Sequence, residues 1–477
     1  MRTYILALTK YGITALVAVY TILAFAVLFQ KRRSRLQLLS FLQAVCLFLF
    51  QLLSYFTLWI ALRDVGYLFF CAIQLVVFLA AAVMYRALYP RAYMPLFNNM
   101  CMMLSIGLVI LSRLGFDQAI KQFIIATGSL VLAVVLPMLR GSFYMLKKPK
   151  YLYAFAGIVM LAIVMMMGAT TLGAQITWTI AGLTFQPSEF VKILYLLFLA
   201  STLKDAQSLR DVFAVAVFAA AHVLVLIGST DLGGGLIFYI VFLFVVYYAT
   251  HKGYYLAGGF GAAALAAVVL YHRFSHIRQR VQAFLDPWSL IDSIGYQVTQ
   301  SLFAISAGGL FGSGLGQGSP EKIPFAESDF IFASLSEEFG MIVGICVIAL
   351  CLNCFLMMMS LSMKFADKFY RLLAYGIGIL YGAQSFLTLG GETKFIPLTG
   401  VTLPFISYGG SSILSMTILF TIVQIMYMLR GEKIDEYREK RNLQLRRRTA
   451  REQAIDERDR YGHRYRETDR MTIDNYY

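Results

Sequence analysis

Runs of apolar residues as long as a bilayer core is thick recur along most of the 477-residue chain. "LIFYIVFLFVVYYAT" with its flanks is one of them, and about 20 such residues in a helix cross the hydrocarbon. In that solvent every backbone polar group must be satisfied internally, which leaves helix bundles or closed barrels. The alternation of apolar and polar residues that marks a barrel strand is absent. Hydrophobic residues are 59% of the chain and charged ones 14%, against roughly a quarter charged in soluble domains. The expected fold class is all-α, a polytopic transmembrane helical bundle.

Thirteen spans are expected, at 8–29, 37–62, 65–85, 97–115, 118–139, 151–170, 188–203, 212–229, 234–250, 254–271, 329–361, 372–390 and 406–428. The 329–361 run exceeds one crossing and is expected to include an interfacial turn. The first 30 residues lack a small-residue cleavage site and read as a retained helix. "KRRSR" (31–35), Arg86 and Arg91, "LKKPK" (146–150), "LKDAQSLRD" (203–211), "HKG" (251–253) and "MKFADKFYR" (363–371) all fall on one side if the amino terminus lies outside. The positive-inside rule makes that side, and the carboxyl terminus, cytoplasmic. The six cysteines sit within apolar runs, so no disulfide framework is implied, and the Cys351/Cys354 pair has no second pair or histidine to make a metal site.

The net charge of +15 fits cytoplasmic anchoring, and the polar tail after Arg430 reads as a solvated arm at anionic headgroups. No motif mixes basic and aromatic residues as nucleic-acid binding requires. Two segments on the expected outer side carry cations against the rule. They are the long loop 272–328, with Arg273, Arg278, Arg280 and Lys322, and "GGETKFIPLTGVTLP" (390–404), with Lys394. Long loops are uncommon unless functional, and cations there suit a phosphate or pyrophosphate, although headgroup contacts would use them as well.

Four segments gather at or beneath that outer side: "WTIAGLTFQPSEFVK" (178–192), "STDLGGG" (229–235), residues 283–340 from "AFLDPWSLIDSIGYQ" to "ESDFIFASLSEEFG", and "KFIPLTGVTLPFISYGGSS" (394–412). Together they resemble the shape, elongation, division and sporulation family, the FtsW/RodA/SpoVE proteins. The family's QPSE, PDLG, GYQ…QSL, GGLFGxGLGQ, TDFIFA…EELG and LPFISYGGSS motifs occur in order, from about Asn98 to Arg430. The resemblance implies an extra three-span segment (1–96), a catalytic core (97–430) and a mixed-charge cytoplasmic tail (431–477). It implies a bacterial cytoplasmic membrane protein that polymerises lipid II into glycan strands beside a class B penicillin-binding transpeptidase. A lipid II flippase is the alternative, but it would need charged groups lining a path to the cytoplasm. A non-catalytic scaffold is a third reading, against which the intact Asp329 argues.

Joining a sugar hydroxyl to an anomeric carbon, with a lipid pyrophosphate leaving, needs a base, cations and a lipid groove. Asp329 matches the aspartate to which the family's catalytic role is assigned. The resemblance makes it a general base or a ligand for a divalent cation (Mg or Mn), whereas its place before Phe330 alone suits an N-cap equally well. Ser328 and Glu327 stand where threonine and histidine are usual. Glu337 and Glu338 follow about 12–14 Å deeper along a helix, where a charge costs roughly 2.5–3.5 kcal/mol. Glu337 lies within a quarter turn of the Asp329 face and is a candidate cavity residue. Glu338 points the opposite way and should pair with a neighbouring helix.

In "FQPSEFVK" Pro187 suits the first helical position after Gln186, and Glu189 and Lys192 are spaced to pair on one face. The resemblance places both in the central cavity and makes Trp178 a substrate contact, although a tryptophan there also suits the interfacial belt. The family's arginines near those motifs are replaced by Thr177 and Thr184, so pyrophosphate contacts are expected to fall to Arg273, Arg278 or Lys394. Asp231 holds the PDLG aspartate position and is expected to pair with Lys192 or Lys394. Gln297 of GYQ, with Ser407, Tyr408 and Ser411 of LPFISYGGSS, completes the candidate substrate-binding set.

Overall fold

The computed structural model describes residues 2–473 except 168, 172–173, 181–182 and 207. Its Cα positions group into two units, Met1–Ile425 and Met426–Tyr477, so residues 1–96 belong with the larger unit. Thirteen helices stand where spans are expected. Eleven are long and apolar enough to cross a membrane; α6 and α7 are shorter.

The first three are α1 (Arg2–Leu28), α2 (Arg33–Leu62) and α3 (Gly66–Leu88). Then come α4 (Met94–Leu114), α5 (Phe116–Val135), α6 (Lys150–Met167), α7 (Pro187–Leu203), α8 (Leu209–Gly228), α9 (Leu232–Thr250) and α10 (Gly253–Arg273). Two shorter helices, α11 (Ser275–Leu285) and α12 (Tyr296–Gly308), precede α13 (Ile331–Ser362), α14 (Lys368–Glu392) and α15 (Gly410–Ile473). The one departure from an all-helical bundle joins α6 to α7. There β1 (Ala169–Thr171), β2 (Ala174–Ile180) and β3 (Leu183–Phe185) pair antiparallel in that order, Trp178 opposite Phe185. Pro187 follows at the first position of α7, where its missing N–H costs nothing.

Contacts between helix ends sort the connections into two groups. At one end Arg33 reaches the Pro90 carbonyl, Tyr89 the Val134 carbonyl, Lys147 pairs with Asp367 and Lys150 with Asp205. The other end carries residues 272–330 and 393–409, joined where Ser407 Oγ donates to the Ser328 carbonyl at 2.7 Å. The basic loops that these contacts join thus share one end. Helix α4 is buried on nearly all faces, whereas α10 has no buried residue.

Helix α1 is bound to α4 and α13 by polar contacts inside the bundle. Tyr20 donates to Asn99 Oδ1 at 3.0 Å, Asn99 to Asn353 Oδ1 at 2.8 Å, and Asn353 to the Ala24 carbonyl at 3.0 Å. Each such bond is worth about 0.6 kcal/mol on average within a membrane, so the set fixes register more than it stabilises. All six cysteines are free.

The expected turn in the long 329–361 run is a break at Gly340, whose φ of 85° interrupts α13. A glycine-rich loop after α12 fills the gap with main-chain bonds. The Ser313 and Gly314 amides donate to the Glu337 and Glu338 carbonyls at 2.9 and 3.0 Å, and the Met341 amide donates to the Gly309 carbonyl at 2.8 Å. A Cβ at Gly308 would overlap the Ser336 carbonyl oxygen, and one at Gly312 would overlap that of Glu338. Glycine is required because backbone meets backbone. Gly340→Ala is expected to destabilise the protein by about 2–3 kcal/mol, read as a lowered thermal midpoint in detergent. Gly128→Ala, where a Cβ meets nothing within 4 Å, should leave the midpoint unchanged.

Candidate active site

Two groups of polar side chains lie beneath the segment 394–412. The deeper one starts from α7. Lys192 Nζ contacts Glu189 Oε1 at 2.7 Å, with the two side chains only 3% and 7% exposed. A buried ion pair needs its remaining hydrogen-bonding capacity filled. Lys192 also donates to Gln384 Oε1 of α14 at 3.0 Å, and Ser415 Oγ of α15 donates to Glu189 Oε2 at 2.8 Å. Gln384 in turn donates to the Thr402 carbonyl at 3.0 Å. The Gln186 amide donates to Ser411 Oγ at 3.0 Å. Three helices and the 394–412 segment are thereby joined around one ion pair.

Asp231 borders this group. It caps α9, accepting from the Gly234 amide at 2.9 Å, while Ser188 Oγ approaches it at 3.5 Å. Burial raises its carboxyl above the usual range, against the pull of the Gly234 amide and Lys192. Lys192 is thus within electrostatic reach of Asp231, although its ion pair is with Glu189.

The second group lies at the mouth of α13. The N-cap residue is Phe330, with no side-chain cap of its own, and Asp329 just before it accepts no hydrogen bond among the described residues. Burial pushes its carboxyl above the usual range, the Arg280 guanidinium pulls it back, and the Glu327 charge adds to the rise. Arg280, from α11, donates to the carbonyls of Leu398 and Thr399 at 3.3 and 3.0 Å. It lies within electrostatic reach of both Asp329 and Asp231, linking the two groups. Beside them the Tyr408 amide donates to the Glu327 carbonyl at 2.8 Å, and Ser407 Oγ also accepts from the Leu403 amide at 2.9 Å. Burial and then Glu327 push the Tyr408 phenol up.

The structure therefore gathers Gln186, Glu189, Lys192, Asp231, Ser407, Tyr408 and Ser411 around one segment, with Asp329 at its edge. Other candidates go elsewhere. Arg278 turns back along the chain, donating to the His272 carbonyl at 3.2 Å and lying over Tyr271, and Arg273 is exposed. Lys394, with φ of 54°, lies within electrostatic reach of Asp286. Trp178 stacks on Phe185, which stacks on Phe190, and Gln297 is half-buried in the first turn of α12.

Glu337 does not line a cavity beneath Asp329. Its Oε1 accepts the Ser319 amide at 2.7 Å, holding the glycine loop. Glu338 holds the same loop through the Gly316 amide at 2.7 Å and pairs with Arg113 of α4 at 2.9 Å. A period of 100° per residue describes each acid's face but not which loop folds back on it.

Gln384 and Ser415 join the site although no motif marks them, and Arg280, named only among the loop cations, takes the place expected of Arg273, Arg278 or Lys394. Arg278 and Arg280 sit about 200° apart on one helix, so only one can face Asp329, and spacing does not say which. Among the described residues no three His, Cys, Asp or Glu side chains converge. Asp329 and Glu327 have a guanidinium alongside, a donor set that does not favour a protein-built divalent-cation site.

Comparison with known proteins agrees with the ordered motifs. The profile of the cell cycle protein family of FtsW, RodA and SpoVE matches residues 88–430. The chain is 36% identical over 292 residues to the peptidoglycan glycosyltransferase RodA of Mycobacterium bovis, covering 57% of this chain and 62% of that one. It is 32% identical over 308 residues to the probable peptidoglycan glycosyltransferase FtsW of Geobacter sp. (strain M18), covering 62% and 79%. Among solved structures, a chain from work titled structural coordination of polymerization and crosslinking by a peptidoglycan synthase complex superposes with a TM-score of 0.63 at 26% identity, over 70% of this chain and 97% of that one. The Thermus thermophilus Rod shape determining protein RodA shares the fold, with a TM-score of 0.54 at 24% identity over 70% of this chain and 96% of that one.

Removing one member of the Glu189–Lys192 pair leaves the other charge buried and is expected to cost about 3–5 kcal/mol. The Glu189→Gln, Lys192→Met double variant is expected to be less destabilised than either single one. Thermal midpoints of the three variants check this, and a double variant worse than both singles would contradict it.

Proposed function

The chain belongs to the FtsW, RodA and SpoVE family of integral membrane proteins, and from that membership and the Asp329 carboxyl set within electrostatic reach of Arg280 we propose that it is an inverting lipid II glycosyltransferase. In this reading the sugar hydroxyl of one lipid II forms a bond to the anomeric carbon of another chain, and the bond from that carbon to undecaprenyl pyrophosphate breaks. Asp329 takes the hydroxyl proton as general base, and the pyrophosphate leaves as an anion. Inversion follows from attack opposite the leaving group.

The observation that carries the reading is the state of Asp329, a half-buried carboxyl facing a guanidinium with no hydrogen bond among the described residues to occupy it. Arg280 favours its ionised form and is the cation best placed for the pyrophosphate charge, a role the sequence assigned to Arg273, Arg278 or Lys394. The ion pair of Glu189 and Lys192 ties together the helices beneath Asp329. This end of the bundle then faces outward and the basic loops face the cytoplasm, by the positive-inside rule. A class B penicillin-binding transpeptidase is the proposed partner, as the family resemblance implies.

Asp329→Asn is expected to lower polymerisation of labelled lipid II by about 10²–10⁴-fold, and unchanged polymer would contradict the assignment of the base. Because the base works deprotonated and burial raises its pKa, activity should fall with decreasing pH at a midpoint above the ordinary aspartate value. Arg280→Ala removes the cation that holds this midpoint down, so the acid limb should move to higher pH. A limb that stays or moves lower in pH–rate profiles would contradict the role of Arg280.

A further inference from the structure

Glu392, the last residue of α14, is fully buried. Its Oε2 accepts the Ala333 amide at 3.0 Å, in the first turn of α13. Its own carbonyl accepts from Ser301 Oγ of α12 at 3.0 Å, so three helices meet at this residue. Its Oε1 is buried with no partner among the described residues. The surroundings are apolar: Phe330 and Ala333 pack in one cluster with Ala304, Ile323 and Ala326. A buried carboxylate oxygen without a partner is costly, and an apolar side chain of similar length would remove that cost. Packing alone therefore does not account for an acid here.

What the acid supplies is the cap that α13 otherwise lacks. A helix start has amides without intrahelical partners, and aspartate just before one is well suited to accept from them. Asp329 is in that place, yet the amide is taken by a carboxylate from another helix. The two carboxyl groups are also within electrostatic reach of each other. We infer that Glu392 is a positioning residue for Asp329: by capping α13 from α14 it releases the Asp329 carboxyl from the helix end and fixes where the chain leaves the helix, so that the carboxyl stands toward Arg280 and the cleft. This rests on the reading of Asp329 as the base.

The test uses purified full-length protein and labelled lipid II. In Glu392→Leu the first-turn amide is unsatisfied and Asp329 is expected to turn back and cap it. kcat should fall by at least about tenfold with KM for lipid II within about twofold. Amide donation to the ionised form lowers a carboxyl pKa, so the acid limb of the pH–rate profile should move to lower pH, which lost packing would not cause. Glu392→Gln keeps an acceptor and should restore kcat to within about threefold of the unsubstituted protein. Wild-type kcat with an unmoved limb in Glu392→Leu would overturn the inference, as would Glu392→Gln being as impaired as Glu392→Leu. If Glu392→Leu does not fold, Glu392→Asp, one methylene too short to reach Ala333, replaces it. Impaired Asp with active Gln supports the inference, and equal activities overturn it. Asp329→Ala that still polymerises sinks the reading of the base itself. Asp329→Ala inactive beside a wild-type Glu392→Leu sinks only the role of Glu392.

Discussion

The break in α13 at Gly340 is the constraint on which the rest of the site depends. A helix interrupted within an apolar run exposes carbonyls and amides that lipid cannot satisfy. The glycine loop after α12 supplies those partners, and Arg113, Glu337 and Glu338 hold the loop in place. This fixes α12 against α13, and with them the point at which the chain emerges at Asp329. The two deep acids that look least at home in a membrane helix thus serve the loop.

Segment 394–412 is the second organising element. Its main chain accepts from Gln384 and Thr388 below and from Arg280 above, and Ser407 connects it to Ser328. Ser407 and Ser411 of the segment add side-chain contacts, and further polar groups around it come from α7, α9, α11, α14 and α15. The Asp329 carboxyl and the Glu189–Lys192 ion pair share this one boundary.

Much of the fold was legible in the sequence because bilayer thickness sets span length and loop charge sets sidedness. Most helices start and stop within a few residues of the apolar runs, α15 excepted, which continues past its expected end at 428 to Ile473, and the pairing of Glu189 with Lys192 follows from their spacing. The β-strands around Trp178 were not legible, since short strands in a 20-residue connection leave no distinct periodicity. Nor was the division of labour among Arg273, Arg278 and Arg280, which depends on how α11 is rotated. Glu337 departs from its expected place for a related reason: helical phase gives a face, and here the occupant of that face is a loop whose Ser319 lies 18 residues earlier in the chain. Arg113, the partner of Glu338, lies 225 residues away, a separation that local pattern does not bridge.

Helix α10 has no buried residue, and its 21 residues make it roughly 31 Å long at 1.5 Å per residue, close to the thickness of a hydrocarbon core. It is held to α9 at Gly259, whose carbonyl accepts from the Tyr239 hydroxyl at 2.6 Å, and its other faces are left to lipid. Since α11 follows after a single residue and carries Arg280, the cation within electrostatic reach of Asp329 hangs from the span that protein surrounds least.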